Sequence, residues 1–89
     1  MIVRELIVAN RLGLHARATA KLVQTLSGFR CNSTLTGKGR EVNAKSIMGV
    51  MLLAAGPGTP VLLRVDGVDE LEAMEAVVGL FARHFDEGA

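Results

Sequence analysis

The sequence has no tryptophan, no tyrosine and only three phenylalanines. Two of them, Phe81 and Phe85, fall on the apolar side of the last predicted helix. No strand therefore offers the aromatic platform on which RNA-binding modules stack bases. One cysteine, Cys31, excludes an internal disulfide framework and a cysteine-rich metal cage. A single thiol suits a reducing cytosol. The two histidines, His15 and His84, stand 69 positions apart and form no metal-ligand spacing. No metal or cofactor is implied. Both prolines, Pro57 and Pro60, lie in one breaker cluster, Gly56-Pro57-Gly58-Thr59-Pro60, which is an ordinary loop length. The longest apolar run, Ile47 to Ala55, is nine residues including Gly49. A membrane span needs about 20. The opening Met1-Ile2-Val3-Arg4-Glu5 lacks the basic-then-apolar order of a signal peptide. A soluble cytoplasmic domain is expected, with neither nucleic-acid binding nor membrane insertion.

What is present suits one small globular domain over residues 1–89, with 49% hydrophobic and 21% charged residues. The net charge of +1 conceals a split. Residues 1–45 hold eight basic and two acidic side chains, a balance of +6, and residues 46–89 hold two basic and seven acidic, a balance of −5. A basic face for an anionic ligand or an acidic partner is the implied consequence.

Ile2 to Val8 reads as a strand. Ala16 to Leu26 reads as a helix with Thr19, Leu22, Val23 and Leu26 on its apolar face, and Arg17, Lys21 and Gln24 on the other. Gly28 is placed for a left-handed cap. Cys31 to Thr36 alternates, Gly37-Lys38-Gly39 is turn chemistry, and Arg40 to Asn43 returns as a hairpin. Ser46 is an N-cap for a short helix from Ile47 to Leu53. Val61 to Asp66 reads as another strand. Asp69 and Glu72 resemble a capping box. Leu71, Met74, Val78, Phe81 and Phe85 then define an apolar stripe on a final helix, with His84 in its last turn beside the negative end of the dipole. The order βαββαβα predicts an α+β open-faced β-sandwich: a four-stranded antiparallel sheet with three helices on one face.

His15 falls at the start of the first helix, where the first-turn N–H groups have no internal partner and the dipole favours negative charge. A cationic imidazolium is disfavoured there, so a neutral, nucleophilic ring is expected. A phosphoryl group on that ring would meet free backbone N–H groups, those of Ala16 and Arg17, and the Arg17 guanidinium. Histidine is also a poor N-cap, and such local inconsistencies are typical of functional sites.

Gly13-Leu14-His15-Ala16-Arg17 resembles the active-site motif of the HPr family, the histidine phosphocarriers of the bacterial phosphotransferase system. Asn43-Ala44-Lys45-Ser46-Ile47-Met48-Gly49-Val50-Met51 resembles that family's regulatory serine and the helix after it. The similarity spans essentially the whole chain. It implies that His15 accepts a phosphoryl group from enzyme I as pros-phosphohistidine and passes it to a IIA domain, with Arg17 steadying the phosphate. The protein would be a carrier rather than an enzyme. Ala20, Lys21, Gln24, Ile47, Met48 and Met51 would form the docking surface of a monomeric shuttle. Ser46 would be the target of a serine kinase/phosphorylase. One departure stands out: Ala18 occupies the place where the family usually has proline after the arginine. Alanine is a strong helix former, so the helix is expected to survive. Other readings are a nitrogen-branch paralogue with a regulatory IIA partner, an unphosphorylated interaction module, and a ferredoxin-like RNA-binding domain.

Overall fold

A computed structural model describes residues 1–87. The chain runs through β1 (Ile2–Ile7), α1 (Ala16–Ser27), β2 (Asn32–Gly37), β3 (Arg40–Asn43), α2 (Ile47–Leu52), β4 (Pro60–Asp66) and α3 (Glu70–Ala82), then a single 3-10 turn, His84–Asp86. The predicted βαββαβα order is observed. The strands lie in the order β1-β4-β2-β3, and every neighbouring pair is antiparallel.

Strict alternation along β4 explains the two layers. Val61, Leu63 and Val65 are buried while Leu62, Arg64 and Asp66 face outward. Leu63 pairs with Leu35 of β2, and Leu35 in turn with Val42 of β3, so the apolar row crosses the sheet. Leu22 and Leu26 of α1, Val50 of α2 and Val77 and Leu80 of α3 close over this row, and the opposite face stays open. The hairpin between β2 and β3 turns on Lys38 and Gly39, with φ of 52° and 76°. Two positive φ values are what a two-residue type I′ turn requires, matching the strand twist.

Four expectations need correction. Gly28 is right-handed, at φ −76° and ψ −5°, because α1 ends by tightening: the Gly28 N–H reaches back to Thr25. Asp69 makes no cap bond to α3. Its carboxylate instead accepts from the backbone N–H groups of Arg30 (2.7 Å) and Cys31 (2.9 Å), tying α3 to the turn after α1. Those N–H groups, Arg30's foremost, hold its carboxyl below the ordinary range. The buried face of α3 is Ala73, Met74, Val77, Leu80 and Phe81, whereas Leu71 is exposed and Val78 half-buried. Small Ala73 lets α3 sit close to the sheet, turning the larger Leu71 outward.

The helix also stops at Ala82, so neither His84 nor Phe85 lies on it. His84, Phe85 and Asp86 take φ of 53°, 57° and 56°, reversing the chain so that Phe85 folds back into the core against Phe81, ring centroids 4.8 Å apart. His84 is left exposed beyond the helix end.

Candidate functional site

The segment between β1 and α1 is shaped by its backbone. Gly13 sits at φ +69°, and a Cβ there would lie 2.6 Å from the Ala55 carbonyl oxygen. Only glycine fits this approach. The next residue, Leu14, donates its N–H to that same Ala55 oxygen at 2.8 Å. Buried Asn10 braces the loop from within, its Nδ2 donating to the Gly13 carbonyl at 2.7 Å. The Thr19 hydroxyl donates to the Leu14 carbonyl at 3.2 Å. These bonds deliver His15 to the N-cap of α1 with extended backbone, φ −75° and ψ 179°.

The imidazole then has two different edges. Nδ1 accepts from the Arg17 backbone N–H at 3.2 Å, so that nitrogen's lone pair points at the first turn of α1. Nε2 faces the Glu87 carboxylate, 3.5 Å from Oε2. The His15 side chain is 28% exposed. An acceptor at Nδ1 places the ring proton on Nε2. A group joined to Nδ1 would project toward the first-turn N–H groups of α1, that of Ala16 and that of Arg17, the latter released from the ring nitrogen it now meets. Arg17 is exposed and makes no side-chain bond among the described residues. α1 begins at Ala16 with Ala18 fully inside the core, so alanine in place of proline leaves the helix start intact.

Lys21 is less free than its place on the basic stripe suggests. Its Nζ donates to the Phe85 carbonyl at 2.9 Å and lies 3.6 Å from Asp86 Oδ2. Gln24 is exposed and Ala20 half-buried. Ser46 caps α2 as predicted, Oγ accepting from the Gly49 N–H at 3.1 Å. α2 packs against α1 and displays Ile47, Met48, Met51 and Leu52. Met48 is 77% exposed, far more than burial-driven packing would leave.

Sequence reasoning missed four contributors: Asn10, Leu12, Leu52 and Glu87. Exposed Leu52 lies within the apolar run, Ile47 to Ala55, that holds Met48 and Met51, so that run was the available signal. Exposed Leu12 stands beside the glycine turn. Asn10 and Glu87 meet across 77 positions, and nothing local marks such a pair.

An open-faced sandwich that offers one imidazole nitrogen to the N-terminus of its first helix defines the class of small phosphocarrier domains. Comparison with known proteins narrows the class. A family model of the PTS HPr component phosphorylation site matches residues 2–83. The phosphocarrier protein HPr of Xylella fastidiosa is 66% identical over 87 residues, covering 98% of each chain. That of Cupriavidus necator is 52% identical over 88 residues, covering 99% of each. A crystal structure of HPr from Thermoanaerobacter tengcongensis covers both chains fully at 40% identity, with a TM-score of 0.95. The chain belongs to the HPr family, the phosphocarriers of the phosphotransferase system.

Proposed function

We propose that His15 Nδ1 is the atom that carries the phosphoryl group, taken from enzyme I and handed to a IIA domain. The observation that supports this most is the Arg17 N–H bond to Nδ1, which aims that lone pair at the helix N-terminus. In the transfer, the Nδ1 lone pair forms the N–P bond while the donor's bond to phosphorus breaks and its electrons return to the donor. The proton on Nε2 stays. The Arg17 N–H, released from Nδ1, then donates to a phosphoryl oxygen together with the Ala16 N–H. The helix dipole and the Arg17 guanidinium offset the added negative charge.

Partners dock on the exposed faces of α1 and α2, through Ala20, Lys21, Gln24, Ile47, Met48 and Met51, with Leu12 and Leu52 extending the apolar area. Methionines adapt to differently shaped partners, which suits a carrier that must fit both donor and acceptor. The carrier acts as a cytoplasmic monomer that keeps this surface free. No helix among the described residues is long and apolar enough to cross a membrane. A second crystal structure of HPr from Thermoanaerobacter tengcongensis, 45% identical over 84% of this chain, is of a dimer. Sedimentation at cellular concentration decides which state this chain adopts.

Ser46 is the regulatory position. A phosphate on Oγ would sit at the N-terminus of α2, where the dipole tolerates it, and would place negative charge on the docking surface. A serine kinase/phosphorylase would act there.

The direct test is to incubate the protein with enzyme I and phosphoenolpyruvate and weigh it intact. One acid-labile phosphoryl group is expected on the parent and none on His15→Ala. A stable adduct, or one that survives in His15→Ala, overturns the assignment.

A further inference from the structure

The first turn of α1 keeps one backbone donor in reserve. A helix cap normally accepts from the N–H of the second or third helical residue, which here are Arg17 and Ala18. His15 Nδ1 takes the Arg17 N–H at 3.2 Å. The helical pattern begins with Thr19, whose N–H donates to the His15 carbonyl at 2.9 Å. The Ala18 N–H falls between the two and meets no acceptor among the described residues. The Leu14 carbonyl, four residues back, takes the Thr19 hydroxyl instead.

Water does not make up this loss, because Ala18 is only 1% exposed. A buried backbone N–H without a partner is rare and costly. This one persists in the turn toward which Nδ1 points, within the residues matched by the model of a phosphorylation site. Proline, the family's usual residue at this position, has no N–H to satisfy. Alanine in its place adds a donor to the turn.

We propose that the Ala18 N–H is a third phosphoryl-binding donor, joining those of Ala16 and Arg17 when His15 is phosphorylated, so that this chain holds the group more firmly than a proline at position 18 would allow. The inference rests on His15 Nδ1 being the carrier atom. Nδ1 has one lone pair and engages one N–H. A phosphoryl group presents three oxygens, so one keeps the Arg17 N–H while another takes the next donor of the same turn. No bond in the unphosphorylated protein has to break to supply the Ala18 N–H. Its contribution therefore favours the phosphorylated state alone.

The test removes the donor in two ways. Ala18→Pro deletes the N–H and is tolerated in a first helical turn. A full-length chain joined by ligation at Cys31, with lactic acid in place of Ala18, exchanges the N–H for an ester oxygen and keeps the buried methyl. The readout is the equilibrium of phosphoryl exchange with enzyme I. Both variants should shift it roughly tenfold toward phosphorylated enzyme I, the effect of losing one hydrogen bond to a charged group. In the parent, the Ala18 amide proton should move downfield in the NMR spectrum and exchange more slowly with water on phosphorylation. Urea midpoints confirm that the unphosphorylated variants fold. A shift with Ala18→Pro but not with the ester overturns the donor role and leaves an effect of ring geometry. An unchanged equilibrium in both, or an Ala18 amide that phosphorylation does not move, overturns the proposal outright. A parent that takes up no phosphoryl group overturns the carrier reading, and this one with it.

Discussion

Gly13→Ala tests whether the backbone of the β1–α1 loop sets the position of His15. Two penalties meet at this position. The first is conformational: a left-handed L-residue costs ~1–2 kcal/mol, partly offset by a stiffer unfolded chain. The second is steric. The new Cβ would lie 2.6 Å from the Ala55 oxygen and 2.8 Å from the Gly56 Cα, both backbone atoms with no rotamer to escape into. Ala55 also accepts the Leu14 N–H, so relief by moving the loop weakens that bond. Forced overpacking of this kind costs ~1–3 kcal/mol, and a damaged hydrogen bond adds about 1.

The net expectation is a loss of about 3 kcal/mol, a large share of the roughly 4–13 kcal/mol available to a chain of this size. The melting temperature should fall by about 12–24 °C. Gly58→Ala is the matched control, since Gly58 has φ +86° with nothing within 4 Å of the added Cβ. It carries the conformational penalty alone, about 1 kcal/mol. Urea unfolding followed by circular dichroism measures both. Gly13→Ala should also take up phosphate more slowly at temperatures where it is fully folded, because relief of the clash displaces Leu14 and His15. If the two alanine variants lose the same stability, the close approach to Ala55 is not what requires glycine, and the reasoning fails.

Two further outcomes are expected. Ser46→Ala should lose about 1 kcal/mol with the Gly49 cap bond, while Ser46→Asp should keep the stability and slow phosphate uptake from enzyme I; unfolding midpoints and uptake rates separate the two effects. Asp69 has a depressed carboxyl, so its contribution is present above the ordinary carboxylate range and is lost as pH falls through its lowered value. Asp69→Asn should therefore be less stable than the parent at pH 7, with the gap closing toward pH 3 in a urea series; a constant gap would show that the Arg30 and Cys31 bonds do not depend on the charge.

Legibility in the sequence followed the range of the interactions. α1 could be read almost residue by residue, because its buried Thr19, Leu22, Val23 and Leu26 stand against polar neighbours. The strands could be read for the same reason, β4 above all. α3 could not, because it is apolar nearly all round. Leu71 and Val78 fit one stripe as well as Ala73 and Val77 fit another, and only the sheet beneath selects between them. Asp69 looked like a cap because its neighbours in sequence suggested one. Its actual partners, Arg30 and Cys31, lie 39 and 38 positions away and outcompete the helix end.

The site divides along the same line. His15 stood out because it caps a helix badly where serine or aspartate would cap well. The structure shows how that weakness is tolerated: the Nδ1 bond is a long one, at 3.2 Å, and the Thr19 hydroxyl braces the entry to the helix through the Leu14 carbonyl. The other half of the site comes from Glu87, 75 positions from Leu12, carried there by a left-handed reversal with no glycine to announce it. Position 15 therefore gives up capping strength for an imidazole nitrogen aimed at the helix N-terminus. The contacts that offset the loss come from the loop before α1 and from the tail, which also puts an anion beside the ring.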